Sequence, residues 1–183
     1  MKRIIFLIFL LPFAAQAGPD AKRTDAITRI GDIGQFAIPF SALVYSMAIQ
    51  DWQGVGQLGL STGAAMGTTY VLKYTVREER PYQPEDSKGQ TFPSGHTAMA
   101  FSGAGFWQRR YGWAVGAPMY LAASFVGYSR VHSNMHYSQD VIAGAAIGIG
   151  FNYLFTTRYN DAGRNISISP TDGGAMLRFN TIF

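Results

Sequence analysis

His136-Tyr137-Ser138-Gln139-Asp140-Val141-Ile142-Ala143-Gly144-Ala145-Ala146-Ile147-Gly148-Ile149-Gly150 is an apolar run rich in Gly and Ala that opens on His136 and Asp140. It reads as a helix over residues 136–159. Its small residues let a neighbouring backbone come close, and the same pattern returns in Gly63-Ala64-Ala65 and Gly103-Ala104-Gly105. Punctuation along the chain places further helices at residues 36–49, 54 to about 76, 96–109 and 113–130. The expected fold is all-α, a helical bundle of about five core helices. Small residues suit a bundle in a membrane and a tightly packed bundle in water equally well. Residues 36–49 tolerate Pro39 only in the first turn, and they would span roughly 21 Å, short of the roughly 30 Å hydrocarbon core of a bilayer. Gln108-Arg109-Arg110 joins two apolar segments where the positive-inside rule favours a cytoplasmic loop. Both flanking motifs then face outward. Asp51 falls in a second loop on the cytoplasmic side, where acidic residues carry no topological information.

The 183 residues are 48% hydrophobic and 14% charged, with a mean hydropathy of +0.04. That is rich for a soluble domain and low for a bundle wholly immersed in lipid. The length suits one domain. Of the net charge of +4, two charges are Lys2 and Arg3, and no basic stripe with interleaved aromatics is present, so nucleic acid is not an expected partner. There is no cysteine, which rules out a disulfide framework, a thiolate zinc site and a cysteine nucleophile. Lys2 and Arg3, the apolar run from Ile4 to Ala15 and the small-x-small Ala15-Gln16-Ala17 form an export signal. Residues 1–17 are therefore expected to be a signal peptide, with an uncleaved anchor as the alternative, and 18–183 a single domain. Residues 18–32 read as a polar surface segment with one or two helical turns. At the other end, alternation at Ile166 and Ile168, turn chemistry from Pro170 to Gly174, and Leu177, Phe179 and Phe183 on one strand face predict a short C-terminal β-hairpin. One hairpin cannot close a barrel, so it reads as a cap.

Three clusters carry chemistry. Lys73 and Arg80, seven residues apart and followed by Pro81, would project from one face if the helix ran through both, and two cations suit a phosphate. They could equally be solvated or paired with Glu78 and Glu79. Pro93-Ser94-Gly95-His96 opens a helix whose first N–H groups lack partners, a preformed anion site to which the Ser94 hydroxyl adds a donor. Ser94 could also serve as a plain N-cap. Ser129-Arg130, five residues, His136, three residues, Asp140 puts an imidazole and a carboxylate at i, i+4. The carboxylate would fix one tautomer and free the other ring nitrogen for attack, or the two could form a structural pair. His132 extends this to i, i+4, i+8, a spacing compatible with a zinc face and hydrolysis at that metal.

Taken together, Lys-x6-Arg-Pro, Pro-Ser-Gly-His and Ser-Arg-x5-His-x3-Asp, eleven specified positions in this order, resemble the signature of the type 2 phosphatidic acid phosphatase and vanadium-dependent haloperoxidase superfamily. The resemblance spans Lys73 to about Gly150. It implies a phosphatase without metal or cofactor, with His136 as nucleophile, Asp140 as its orienter and His96 as general acid. Lys73, Arg80, Ser94, Arg130 and the Gly95 backbone N–H would hold the phosphate oxygens. His132 departs from the aromatic residue that many relatives carry there. With the leader, the resemblance implies a lipid phosphate substrate (undecaprenyl diphosphate, phosphatidylglycerol phosphate, phosphatidate or a lipid A phosphate) and an inner-membrane protein of the bacterial envelope with a periplasm-facing site. Alternatives are a soluble periplasmic acid phosphatase on small phosphoesters, a vanadate-dependent haloperoxidase, and a binding protein that keeps the phosphate cage without turnover. No obligate protein partner is implied.

Overall fold

The computed structural model describes residues 24–81, 90–159, 164–171 and 174–181. The leader and residues 18–23 lie outside them. Among the described residues five α-helices form the bundle: α1 (Ala26–Ala48), α2 (Trp52–Val76), α3 (Gly95–Phe106), α4 (Trp113–His132) and α5 (Ser138–Phe155). Strands β1 (Arg164–Thr171) and β2 (Gly174–Thr181) pair antiparallel, with Ile166 opposite Phe179 and Ile168 opposite Leu177. Pro170, Thr171 and Gly174, read above as turn chemistry, belong to the paired strands.

Helix α3 is the centre, ringed in order by α1, α2, α5 and α4. Its residues from Ala100 to Phe106 are all buried, and most are small. Small residues exchange side-chain contact for backbone proximity. A Cβ on Gly144 of α5 would lie 2.5 Å from the Ser94 carbonyl oxygen, and one on Gly148 2.5 Å from that of Ala98, so only glycine permits this approach. Ile38, Phe101, Tyr120 and Val126 fill the space between α1, α3 and α4.

The helix ends depart from the sequence reading. Helix α1 begins at Ala26, ten residues before the expected start, because the Asp25 side chain caps it at the Thr28 N–H and Thr28, Gly31, Ile38 and Ala42 turn inward. Pro39 is consequently inside the helix rather than in its first turn. Proline cannot donate to the preceding turn. Its ring lies against Gly103, and the close packing of α1 on α3 carries the defect. Helix α2 stops at Val76, where Arg77 adopts a left-handed C-cap (φ 49°), so Arg80 stands beyond the helix and not on one helical face with Lys73. Helix α3 passes into a π-helical turn at Trp107–Tyr111. Helix α5 starts only at Ser138, leaving His136 in the segment before it, and stops at Phe155 rather than Tyr159.

The α3–α4 junction gives the Arg110 charge a partner. Arg110 is buried and paired with Asp51 through two nitrogens, while its Nη1 donates to the Thr157 and Arg158 carbonyls. Its charge is neutralised inside the protein and says little about topology. Asp51 is no incidental loop acid either: it caps α2 at the Gly54 N–H and accepts from the Tyr111 hydroxyl. Among the described residues no helix is long and apolar enough to cross a membrane. Large apolar side chains are nonetheless exposed on the outer helices, among them Ile33 (67%), Phe40 (63%), Leu121 (62%) and Leu154 (65%).

Candidate active site

The end of the bundle opposite Arg110 gathers the start of α1, the end of α2, the starts of α3 and α5 and the end of α4. The three sequence clusters meet there. His136 is buried, with Nδ1 3.1 Å from Thr91 Oγ1 and 3.4 Å from Asp140 Oδ2. Thr91 Oγ1 donates to Asp140 Oδ2 at 2.7 Å, and the Tyr137 N–H donates to the same oxygen at 2.9 Å. The His–Asp pair is therefore bridged by Thr91, a residue outside every motif. Asp140 is the third residue of α5, where a carboxylate also favours the helix N-terminus.

Lys73 leans over this group. Its Nζ donates to the Gln90 and Thr91 carbonyls at 2.9 and 3.3 Å, which ties α2 to the strand of chain leading into Pro93. A Cβ on Gly95 would be 3.9 Å from Lys73 Cε, so the amine passes beside the first residue of α3. Arg80 reaches Met135 Sδ at 3.8 Å and, with Lys73, acts electrostatically on His136. Ser94 is the N-cap of α3, accepting from Thr97 Oγ1 at 3.0 Å, and its own proton remains to be donated. Gly95, first in the helix, offers an N–H without an intrahelical partner.

His96 and Arg130 form the side toward α1. The Arg130 guanidinium is buried and fully oriented: Nε donates to Ser129 Oγ, Nη2 to the Thr28 carbonyl at 2.8 Å and Nη1 to Asp32 Oδ1 at 2.6 Å. His96 Nε2 stands 3.2 Å from the same Asp32 oxygen. Asp32 was in no candidate cluster, since α1 was not expected to begin before it.

Electrostatics reflect crowded cations in a largely buried site. Burial, reinforced by Arg80, presses the Lys73 amine down to about 8, with Asp140 opposing. Burial and then Arg130 bring His96 down to about 4, against the pull of Asp32. Burial also lowers His136, with Lys73 and Arg80 adding to it and Asp140 resisting. Burial alone would raise Asp140; hydrogen bonds from His136, Thr91 and the Tyr137 N–H outweigh it and keep the carboxyl below its ordinary range. Such a cluster of three fixed cations, a helix N-terminus and two imidazoles can hold a tetrahedral oxyanion. The spacing of His132, His136 and Asp140 does not make one face, because α4 ends at His132 and His132 Nε2 turns to Asp25 at 2.6 Å.

The family model described as "PAP2 superfamily" matches residues 54–164. The chain belongs to the PAP2 superfamily. The match covers α2 to the start of β1 and thus every motif residue, whereas α1 lies outside it. Among PAP2 relatives, the chain is 31% identical to a lipid A 4'-phosphatase of Helicobacter pylori, over 87% of this chain and 84% of that protein. It is 33% identical to a lipid A 1-phosphatase of Porphyromonas gingivalis, over 72% of this chain but only 32% of the longer relative. A crystal structure of Aquifex aeolicus LpxE superposes with a TM-score of 0.61 at 27% identity, covering 70% of this chain and 81% of that one, and it bears out the all-α PAP2 bundle. The enzyme class that follows is a phosphatase, a hydrolase of phosphoric esters or anhydrides.

Proposed function

We propose that the protein removes phosphate from a lipid phosphomonoester or diphosphate through a phosphohistidine on His136, with no metal in the reaction. The observation that carries the reading is the orientation of His136: its Nδ1 is held by Thr91 and Asp140, leaving Nε2 as the nucleophile. In the first step Nε2 attacks phosphorus, the ester P–O bond breaks, and protonated His96 gives its proton to the departing oxygen. Neutral His96 then takes a proton from water as the water oxygen attacks phosphorus and the P–N bond breaks. Lys73, Arg80, Arg130, the Ser94 hydroxyl and the Gly95 N–H hold the equatorial oxygens and stabilise their growing charge. Substrate binding brings negative charge beside His96, which favours its protonated form against the burial and the Arg130 charge that lower its proton affinity.

A lipid substrate is supported by a groove of about 880 Å³ between α1 and α2. Ile33, Phe36, Phe40, Leu43 and Leu58 line it, and Asp32 marks the end next to His96 and Arg130. An acyl chain seated there leaves its phosphate on the cage. The named activities of the two lipid A phosphatases agree with such a substrate. An export leader over residues 1–17, a single phosphatase domain over 18–183 and the large apolar side chains exposed on the outer helices support a seat at a membrane of the bacterial envelope, with the site on the periplasmic side. The test is phosphate release from a panel of lipid and water-soluble phosphoesters in the presence of chelator. Wild type should release phosphate with vanadate as a competitive inhibitor, and His136→Ala should release none; turnover by His136→Ala at the wild-type rate refutes the mechanism.

A further inference from the structure

Asp32 is part of no motif and lies on α1, outside the residues that the family model matches. Its placement is nevertheless specific. Oδ1 receives both His96 Nε2 and Arg130 Nη1, and Arg130 is itself fixed by Ser129 and the Thr28 carbonyl. The carboxylate is thus pinned from α3 and α4, and its ion pair with Arg130 offsets the repulsion it would exert on a phosphate. Among the described residues no donor reaches Oδ2, and 49% of the side chain is exposed. The same residue closes the site end of the apolar groove, where Ile33 and Phe36 follow it along α1. A leaving group whose ester oxygen sits at His96 and whose chain enters the groove passes Asp32 with its first few atoms, and Oδ2 is the oxygen of that carboxylate not taken by His96 or Arg130. A carboxylate there can only accept hydrogen bonds.

We propose that Asp32 selects the leaving group: Oδ2 accepts a hydrogen bond from a hydroxyl or amide N–H next to the phosphate-bearing carbon, so the preferred lipid carries its phosphate on a polyol or saccharide headgroup and not on a bare alkyl or polyprenyl chain. This deepens the lipid-phosphatase reading and rests on it. A site built to bond a substrate hydroxyl discriminates strongly against the analogue that lacks it, since the buried or oriented acceptor is then left to poorly placed water. A hydrogen bond to a charged acceptor at a half-exposed position corresponds to a preference of about tenfold.

The test uses the full-length enzyme and a matched pair of esters, a 1-alkylglycerol 3-phosphate and its 2-deoxy analogue, which differ in one hydroxyl. Wild type should favour the hydroxylated ester in kcat/KM by about tenfold. In Asp32→Asn an amide donor replaces the free acceptor oxygen, and the preference should fall to about one while the deoxy ester is still hydrolysed. Binding of the two corresponding phosphonates, followed by calorimetry, reads the same ratio if the variant turns over too slowly to assay. A ratio unchanged by the substitution, including a loss shared equally by both esters, overturns the proposal, as does a wild type without preference. Wild type inactive on both esters yet active on a bare alkyl or polyprenyl phosphate also overturns the proposal, whereas inactivity on every lipid phosphate of the panel would instead refute the lipid-phosphatase reading itself.

Discussion

At the residue scale the site depends on how one ring is held. The direct His136–Asp140 contact is long at 3.4 Å, whereas the Thr91 hydroxyl lies 3.1 Å from the ring nitrogen and 2.7 Å from the carboxylate. Thr91→Val keeps the volume and removes the bridge, so kcat should fall about tenfold to a hundredfold with KM little changed, and Thr91→Ser should recover most of the loss. Steady-state kinetics on one good substrate decides it, and a pure KM effect would contradict the orienting role. Lys73 offers a pH signature. Its charged form is present below about 8 and lost above it, far sooner than for a free amine. If the ammonium holds phosphate, kcat/KM falls as pH rises through about 8, and Lys73→Arg, which stays charged, should remove that limb from the profile. His136 and Asp140 were legible because a histidine and a carboxylate four apart at the head of an apolar run can meet, and they do so although His136 stands in the segment before Ser138. Thr91 and Asp32 were not, since each acts on a histidine 45 or 64 residues away and no local pattern marks a long-range partner.

At the element scale the interiors of the helices followed from their apolar Gly- and Ala-rich runs, while the ends were set by tertiary contacts. The start of α1 is held by Arg130 and His132 of α4, which take the Thr28 carbonyl and the Asp25 carboxylate, and no propensity in a polar stretch announces that. The end of α2 is likewise fixed by a left-handed residue, Arg77, of a type that seldom adopts it. At the far end of the bundle Asp51 serves two elements, capping α2 and holding Arg110 of the π-helical turn. Both side chains are almost wholly buried. Asp51→Ala removes the cap and leaves a guanidinium uncompensated in a dry site, which should cost about 3–5 kcal/mol. In a chain of this size that lowers Tm by roughly 6–20 °C. Thermal denaturation of the two proteins measures it, and a shift of under about 2 °C would mean that water reaches Arg110.

At the scale of the whole molecule the alternating helix directions put every group proposed to bind phosphate at one end and the Asp51–Arg110 lock at the other, with the α1–α2 groove running between them. The groove wall on α2 includes Gly59 and Gly63. Each costs a helix interior about 1 kcal/mol relative to alanine, and a Cβ at either position would meet nothing within 4 Å. Packing does not require these glycines, so what they preserve is space. Gly63→Leu should fill that space from within and, by replacing a poor helix former, leave Tm unchanged or slightly raised. An acyl chain seated in the groove gains at most about 0.8 kcal/mol per buried methylene, or about fourfold in kcat/KM for each added carbon, until the groove is full. Wild type should therefore show kcat/KM rising with chain length across a series of lipid phosphates at fixed detergent mole fraction. The variant should lose that rise, falling about tenfold or more below wild type on long chains while hydrolysing a short water-soluble phosphoester at the wild-type rate. Equal loss on short and long substrates would place the damage at the phosphate cage, and no loss on either would leave the groove without a part in binding the lipid.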